Sequence, residues 1–387
     1  MNTTSFKLPP IKTLVVGGGG YIGSHMLLAL QDAGQDPNDI LVFDNLSRGH
    51  ADACGAVPLF KGDLRSPNDL QQCFLSFQPD VVMHFGALAY VGESVQEPLL
   101  YYQNNVVGSL NLLAAMRDHG VNKLVFSSTC ATYGEPHEVP IPETHPQQPI
   151  NPYGRTKLMI EQALKDYAPA YGLHSISLRY FNAAGADPQG RARERHDPET
   201  HLIPLVLQEA ARLQAGGNPA DTRLEVFGTD FKTPDGSCVR DYIHVEDLCQ
   251  AHLRAADRLI RVTIAASSTN AAGPTIAAGP TMPTIPAQPQ PLTGSQARSP
   301  STQPNAQAEF FNLANGNGYS VLEVIDTCRR ITGQHIKAKH SPRRAGDPAC
   351  LIGQAGLAAE YLGWTPRHNL EKIIEDAWRV QEIPKGA

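Results

Sequence analysis

Basic runs, long apolar stretches and paired cysteines are all missing from this chain, and each absence removes a class of function. Lys and Arg number 32 against 38 Asp and Glu, a formal net charge of −6 over 387 residues. Without a cluster of positive charge, nothing offers a surface to nucleic acid or to an anionic membrane, and neither partner is expected. No apolar stretch approaches the roughly 18–20 residues that a bilayer-crossing helix needs. Met1 to Pro10 lacks the basic start and apolar run of a secretion signal. The seven cysteines (Cys54, Cys73, Cys130, Cys238, Cys249, Cys328 and Cys350) are odd in number, scattered and without a Cys-x-x-Cys pair. That pattern fits reduced thiols in a cytoplasmic protein, and no metal site is expected. The length leaves room for one large α/β domain or two.

Aromatics are absent from one stretch in particular. Residues 264–308 hold eight prolines, many Ala, Ser, Thr and Gln, and a single charge, Arg298. Such a composition cannot bury enough apolar surface to offset the entropy of ordering. A disordered low-complexity surface insertion is expected there, tolerated by the fold around it.

The rest of the chain is richer in signal. Ile11 to Val16 is a β-branched run that ends in glycines, and an apolar helical pattern follows (Ile22, Met26, Leu27, Leu30). Strand, glycine turn and helix form the setting of a dinucleotide fingerprint. Gly17, Gly20 and Gly23 stand at G-x-x-G-x-x-G spacing, which lets the turn tighten and a pyrophosphate approach the helix N-terminus. A second strand, Ile40 to Phe43, ends at Asp44, about 20 residues after the last glycine, where an acid can meet the adenosine ribose hydroxyls. An acid there repels a 2′-phosphate and favours NAD over NADP, a preference that nearby Arg48 tempers. Asp63, between Gly62 and Leu64 after another short apolar segment, is placed for the adenine amino group. The run Val81 to Phe85 leads into Gly86-Ala87-Leu88, small residues suited to backbone lying against a cofactor.

A helix is expected over Asn104 to Met116, a strand over Lys123 to Phe126 ending in Ser127-Ser128-Thr129, and another strand over Ser175 to Arg179. Alternating strands and helices imply an α/β fold, a doubly wound parallel sheet of Rossmann type, with ligands at the carboxyl ends of its strands. The alternation weakens later, with a helix over His201 to Leu213, a short strand at Leu224 to Phe227, arginines carried by the segments Val239 to His244 and Pro342 to Arg344, and a last helix over Leu370 to Val380. The expected organisation is a cofactor domain over 11–180, to which some later segments return. A smaller C-terminal α/β substrate-binding domain then occupies 181–387. At the head of a helix expected over Lys157 to Tyr167, Tyr153 and Lys157 stand four residues apart and share one face. A lysine ammonium beside a phenol favours the phenolate, which makes the pair a candidate acid/base unit.

Nine segments, in order, carry a resemblance: GGGGYIGSH (17–25), FDNLSRG (43–49), GDLRS (62–66), HFGALAYVGESVQEPLLYYQNN (84–105), FSSTCATYG (126–134), NPYGRTK (151–157), RYFNAAGADPQG (179–190), VRDYIHVEDL (239–248) and PRRAGDP (342–348). Together they resemble the UDP-glucose 4-epimerase family of the extended short-chain dehydrogenase/reductases, from about Ile11 to the C-terminus apart from 264–308. The resemblance implies an NAD-dependent isomerase acting on a UDP-sugar, UDP-galactose and UDP-glucose first, and a homodimer. It makes Tyr153 the catalytic base, Lys157 its activator and ribose ligand, and Thr129 the hydroxyl partner that shares the sugar oxygen. Cofactor contacts are implied at Gly17, Gly20, Tyr21, Ile22, Gly23, Asp44, Asn45, Asp63, Leu64, Phe85, Ala87, Asn104 and Tyr180. Substrate contacts are implied at Phe181, Asn182, His201, Leu202, Arg240, Tyr242, Arg344, Asp347 and Leu351.

In such a reaction the sugar 4-hydroxyl loses a proton while C4 gives hydride to the nicotinamide; the 4-keto sugar turns over, and hydride returns to its other face. Three departures bear on this reading. Ala89 stands where the best-known bacterial members have lysine, and His201 where asparagine is usual. Leu351 stands at the family's sugar gate and is smaller than tyrosine, which leaves room for an N-acetylhexosamine. A UDP-xylose/UDP-arabinose epimerase would use the same residues, and an NAD-binding regulatory protein is the alternative outside catalysis. Related 4,6-dehydratases need an acid and a base after the threonine, and Cys130-Ala131 supply neither.

Overall fold

The computed structural model describes residues 6–270, 306–344 and 347–381. The chain lays down β1 (Thr13–Val16), α1 (Tyr21–Asp32), β2 (Ile40–Asp44), β3 (Leu59–Lys61), α2 (Pro67–Phe77) and β4 (Val81–His84). Two short helices, α3 (Val91–Gln96) and α4 (Pro98–Tyr101), lead through a π-helical segment, Tyr102–Val107, into α5 (Gly108–Asp118). Then come β5 (Lys123–Thr129), α6 (Pro152–Tyr171), β6 (His174–Tyr180), β7 (Asn182–Ala184), α7 (Leu202–Gln214), β8 (Glu225–Phe227), β9 (Val239–His244) and α8 (Val245–Asn270). The last elements are β10 (Ala308–Leu313), β11 (Gly318–Ser320), α9 (Val321–Thr332), β12 (Lys339–Ser341), β13 (Cys350–Leu351), α10 (Gly356–Leu362) and α11 (Leu370–Gln381).

Seven of these strands form one parallel sheet in the order β10-β6-β5-β4-β1-β2-β3. Strand order reverses between β1 and β4, so their loops part and leave a crevice at the carboxyl ends. Both faces are covered. Met26, Leu27 and Leu30 of α1 meet Leu248, Ala251, Ala255 and Leu259 of α8 in one core beneath Val15, Val42, Met83 and Val125. Phe74, Leu112, Leu113, Met116, Ile160 and Leu164 pack on the opposite face. Because both faces are buried, the central strands β1, β2 and β4 read as near-continuous apolar runs.

A smaller unit follows the sheet. Strand β9 pairs with β7, β11 and β13, and β8 pairs with β12. Helices α7, α9 and α11 close a separate core of Ile203, Val206, Leu207, Val324, Ile325, Ile373 and Trp378. Helix α9 starts on a reciprocal cap: the Glu323 amide donates to Ser320 Oγ at 3.0 Å, and the Ser320 amide to Glu323 Oε2 at 2.7 Å.

Two expectations need correction. The helix expected over Lys157 to Tyr167 begins five residues earlier, at Pro152. Asn151 caps it by accepting from the Gly154 amide at 2.8 Å, and proline suits a first turn because its missing N–H has no helical partner there. Tyr153 therefore sits inside the first turn. The insertion expected over 264–308 also has tighter limits. Helix α8 runs on to Asn270 through Ala265 and Ala266, strong helix formers, and Ala308 already opens β10. Residues 271–305 lie outside the described residues.

A buried ion pair ties α6 to the sheet. Arg179 of β6 forks onto Glu161, Nε to Oε1 at 2.9 Å and Nη2 to Oε2 at 2.7 Å, with both side chains under 5 % exposed. Ser128 of β5 donates to the same carboxylate at 2.6 Å, and Arg179 also donates to the Tyr133 hydroxyl at 3.0 Å. Breaking one half of such a pair strands a charge. Glu161→Ala should lower unfolding free energy by about 3–5 kcal/mol, and Glu161→Gln by less, read from urea midpoints at constant slope.

Candidate functional site

The carboxyl edge of the sheet and the smaller unit enclose a cavity of about 1410 Å³. That exceeds the roughly 300–1,000 Å³ of an ordinary small-molecule pocket and leaves space for two ligands.

At its inner end lies the glycine turn. Gly17 has φ +80°, and a Cβ there would stand 2.5 Å from the Gly86 amide nitrogen, where the loops after β1 and β4 pass each other. A Cβ on Gly23 would meet the Gly17 carbonyl oxygen at 2.2 Å. Side chains are excluded at both points by neighbouring backbone, which leaves the start of α1 bare toward the cavity. Gly17, Gly20, Tyr21, Ile22 and Gly23 all line it. This cradle fits a pyrophosphate at a helix N-terminus.

Asp44 lines the same end, its Oδ2 accepting from the Gly19 amide at 3.0 Å and its Oδ1 from the Leu46 amide at 2.8 Å. A carboxylate held by two amides still has lone pairs for two hydroxyls. Arg48 is engaged elsewhere: it pairs with Glu93 at 2.5 Å, donates to the Asp197 carbonyl at 3.1 Å and lies over the Tyr90 ring. An arginine so committed offers little to a 2′-phosphate, which strengthens the preference for an unphosphorylated ribose. Asn45, Leu64, Phe85, Ala87, Ala89 and Asn104 also line the cavity. Asp63 does not. Its carboxylate is taken by the Arg65 fork at 3.0 and 2.7 Å and by Asn45 at 3.1 Å, and these partners hold it well below the usual carboxylate range.

At the centre, Thr129 ends β5, and Tyr153 and Lys157 rise from the first turns of α6; all three line the cavity and are buried. Burial pushes the Tyr153 phenol well above its ordinary value, with neighbouring Tyr180 adding to the rise and Thr129 opposing it. Burial lowers the Lys157 ammonium to about 7, against Glu161, which favours its charge. Lys157 Nζ donates to the Ser127 carbonyl at 2.7 Å and lies 6.0 Å from the centre of the Tyr153 ring. Each group resists charge alone, and an anion beside either one, phenolate or phosphate, restores the lysine's proton. Ser127 and Tyr180 hydroxyls hydrogen-bond each other next to this pair.

At the outer end the smaller unit supplies two arginines. Arg240 donates from Nη1 to the Val239 and Pro348 carbonyls at 2.9 and 2.8 Å, and its Nη2 faces Asp347 at 3.8 Å. Arg344 pairs with the other Asp347 oxygen at 2.9 Å and lies over the Phe227 ring. Asn182 donates to the Asp241 carbonyl at 2.9 Å. Tyr180, Phe181, Asn182, His201, Leu202, Arg240, Tyr242, Arg344, Asp347 and Leu351 all line the wall. Of the residues singled out from sequence, Asp63 alone stays out of the lining.

Several lining and supporting residues escaped sequence reasoning. Asn105 is fully buried where the helix widens into its π segment. It accepts from the Leu88 amide at 2.9 Å and donates to the Leu88 carbonyl at 3.0 Å and to Thr156 at 3.2 Å, so it locks the loop after β4 to α6. No periodicity marks such a residue. Glu194 and His196 line the cavity too, beside His201 and Glu199. Their Glu-x-His-x-x-Glu-x-His spacing was the signal available in the sequence.

A family model for the NAD dependent epimerase/dehydratase family matches residues 13–264. The UDP-glucose 4-epimerase of Halalkalibacterium halodurans is 44% identical over 375 residues, 96% of each chain. A crystal structure of UDP-glucose 4-epimerase from Brucella ovis in complex with NAD is 40% identical with a TM-score of 0.78, covering 95% of this chain and 97% of that one. The Stenotrophomonas maltophila UDP-glucose 4-epimerase with bound NAD and formylated UDP-arabinopyranose is 34% identical, also at 0.78, covering 96% and 98%.

The turn gives the first test. Gly23→Ala should push the Gly17 carbonyl aside and disorganise the cradle. The purified variant is expected to carry less dinucleotide than wild type, measured by ultraviolet absorbance after denaturation, while its circular dichroism stays α/β.

Proposed function

The chain belongs to the NAD dependent epimerase/dehydratase family, and from that premise we propose that it is a UDP-glucose 4-epimerase, interconverting UDP-galactose and UDP-glucose through a transient 4-keto sugar. The observation that carries the reading is the convergence of Thr129, Tyr153 and Lys157 midway between the glycine cradle and the Arg240–Arg344 end of one cavity. NAD, when bound, supplies a reversible hydride acceptor.

The chain's own residues do the rest. Gly17, Gly20 and Gly23 admit the pyrophosphate, and Asp44 holds the adenosine ribose. Arg240 and Arg344 fork onto the phosphates of the UDP-sugar, with Asn182, Leu202, Tyr242 and Asp347 around its nucleotide. Tyr153 takes the proton from the sugar 4-hydroxyl and returns it at the end, and Thr129 hydrogen-bonds the same oxygen. Lys157 would hold a ribose of the cofactor and, when protonated, favours the phenolate. Phe181 and Leu351 give the sugar an apolar wall with no fixed polar grip, which suits a ring that must turn over. A dehydratase reading of the same fold fails at Cys130, a thiol that burial pushes up to about 12 and so withholds from proton transfer.

The proposal includes a cytoplasmic homodimer. Its support is the set of free cysteines and the exposed Leu99, Val107, Leu110 and Met159 on neighbouring helices. Light scattering should give twice the chain mass, and Leu99→Glu with Leu110→Glu should reduce it.

The central test is turnover of UDP-galactose, UDP-glucose, UDP-N-acetylglucosamine and UDP-xylose without added NAD, resolved by chromatography. Tyr153→Phe should cost at least about 100-fold in kcat. Lys157→Met removes a cation beside the phenol, so the acidic limb of kcat/KM should move to higher pH. Conversion of UDP-xylose alone would move the chain to a pentose epimerase, and no conversion of any sugar would end the proposal.

A further inference from the structure

Glu194, His196, Glu199 and His201 come from one loop ahead of α7 and bring one ligand atom each to within 4.8 Å of one another. His201 Nδ1 lies 2.9 Å from Glu194 and 2.9 Å from Glu199; His196 Nδ1 lies 2.9 Å from Glu194 and 3.8 Å from Glu199. One imidazole nitrogen cannot donate one proton fully to two carboxylates. The two glutamate side chains are only 8% and 7% exposed, and among the described residues no Lys or Arg pairs with either. Among the described residues the two nearly buried carboxylates thus have only histidines as side-chain cations.

The loop is held from outside the cluster. Arg195 pairs with Asp52 at 2.6 Å, and its carbonyl meets the His50 ring at 3.0 Å. Arg191 bridges Asp32 and Asp187 at 2.8 and 2.7 Å. Tyr21 of the glycine turn stands edge-on to His196 at 6.0 Å, as does Tyr90 at 5.8 Å. The Glu199 carboxylate is oriented by the Thr200 and His201 amides at 2.7 and 2.8 Å. Ligands fixed by such outer contacts are prepared for a metal.

We propose that these four side chains bind one divalent transition-metal ion of zinc type as a closed structural site. A tetrahedral ion about 2.0–2.1 Å from each donor keeps donors roughly 3.4 Å apart, between the separations seen here. Two imidazoles and two carboxylates suit zinc better than calcium or magnesium, which take oxygen donors. Four protein ligands leave no open position, so the ion performs no chemistry on the sugar. It clasps the loop to the start of α7 and cancels two negative charges on a wall that faces an anionic ligand. None of this depends on which UDP-sugar is turned over.

The full chain, stripped with EDTA and dialysed, would be titrated with Co²⁺ and then Zn²⁺, followed by visible absorption, calorimetry and thermal melting. The expected result is one ion per chain, tetrahedral d–d bands without a thiolate charge-transfer band, and a melting temperature raised by zinc. His196→Ala with His201→Ala should weaken binding by at least about 100-fold, and the isosteric Glu194→Gln with Glu199→Gln, which keeps the loop's shape, should do the same. The proposal is overturned if the stripped wild type takes up no ion at micromolar metal. It is equally overturned if both double variants bind as wild type does, or if a thiolate band places the ion on a cysteine.

Discussion

The charge pair between Glu161 and Arg179 is the fixed point of the molecule. Tyr153 and Lys157 belong to α6, Thr129 belongs to β5, and nothing in the local sequence of either element sets the distance between them. Glu161 sets it, because its two oxygens accept from β6 through Arg179 and from β5 through Ser128. Arg179 reaches on to Tyr133, whose hydroxyl donates to Asn312 on β10 at 2.7 Å. One desolvated network therefore spans three adjacent strands and the helix that carries Tyr153 and Lys157. Such a network is favourable only when every member is satisfied.

Asp241 plays a comparable part for the outer unit. It is fully buried on β9 and accepts from the amides of Asn315, Gly316 and Gly353 at 2.8, 3.0 and 3.3 Å. Those amides lie after β10 and after β13, so a single carboxylate holds two loops to the strand that carries Arg240 and Tyr242. Burial lifts Asp241 to about 6 against those amides. The positions of Arg240 and Tyr242 are thus set by the buried carboxylate between them.

What sequence could reveal follows from this division. The glycine turn, Asp44, Thr129 and the Tyr153–Lys157 pair are local: spacing within a few residues puts them at strand ends or on one helical face, and they stand where expected. Asn105, Glu161 and Asp241 act across long separations through hydrogen bonds, and no periodicity distinguishes them from surface polar residues. Asp63 is the one singled-out residue outside the cavity lining. Its place after a strand was legible, but Arg65, two residues on, claims the carboxylate. The start of α6 lies at Pro152, ahead of the apolar pattern that begins at Leu158, because Asn151 caps the helix and proline suits its first turn.

Strand β10 runs parallel to β6, so it enters the sheet at the amino edge, opposite the end where Thr129 and Tyr153 meet. Helix α8 returns toward that same edge before the described chain leaves at Asn270. The described chain therefore leaves and re-enters at the edge away from Thr129 and Tyr153. The thermodynamic cost of extra length is small, about 0.6 kcal/mol for each doubling of a flexible loop. Length added at the amino edge therefore leaves the dimensions of the carboxyl edge unchanged.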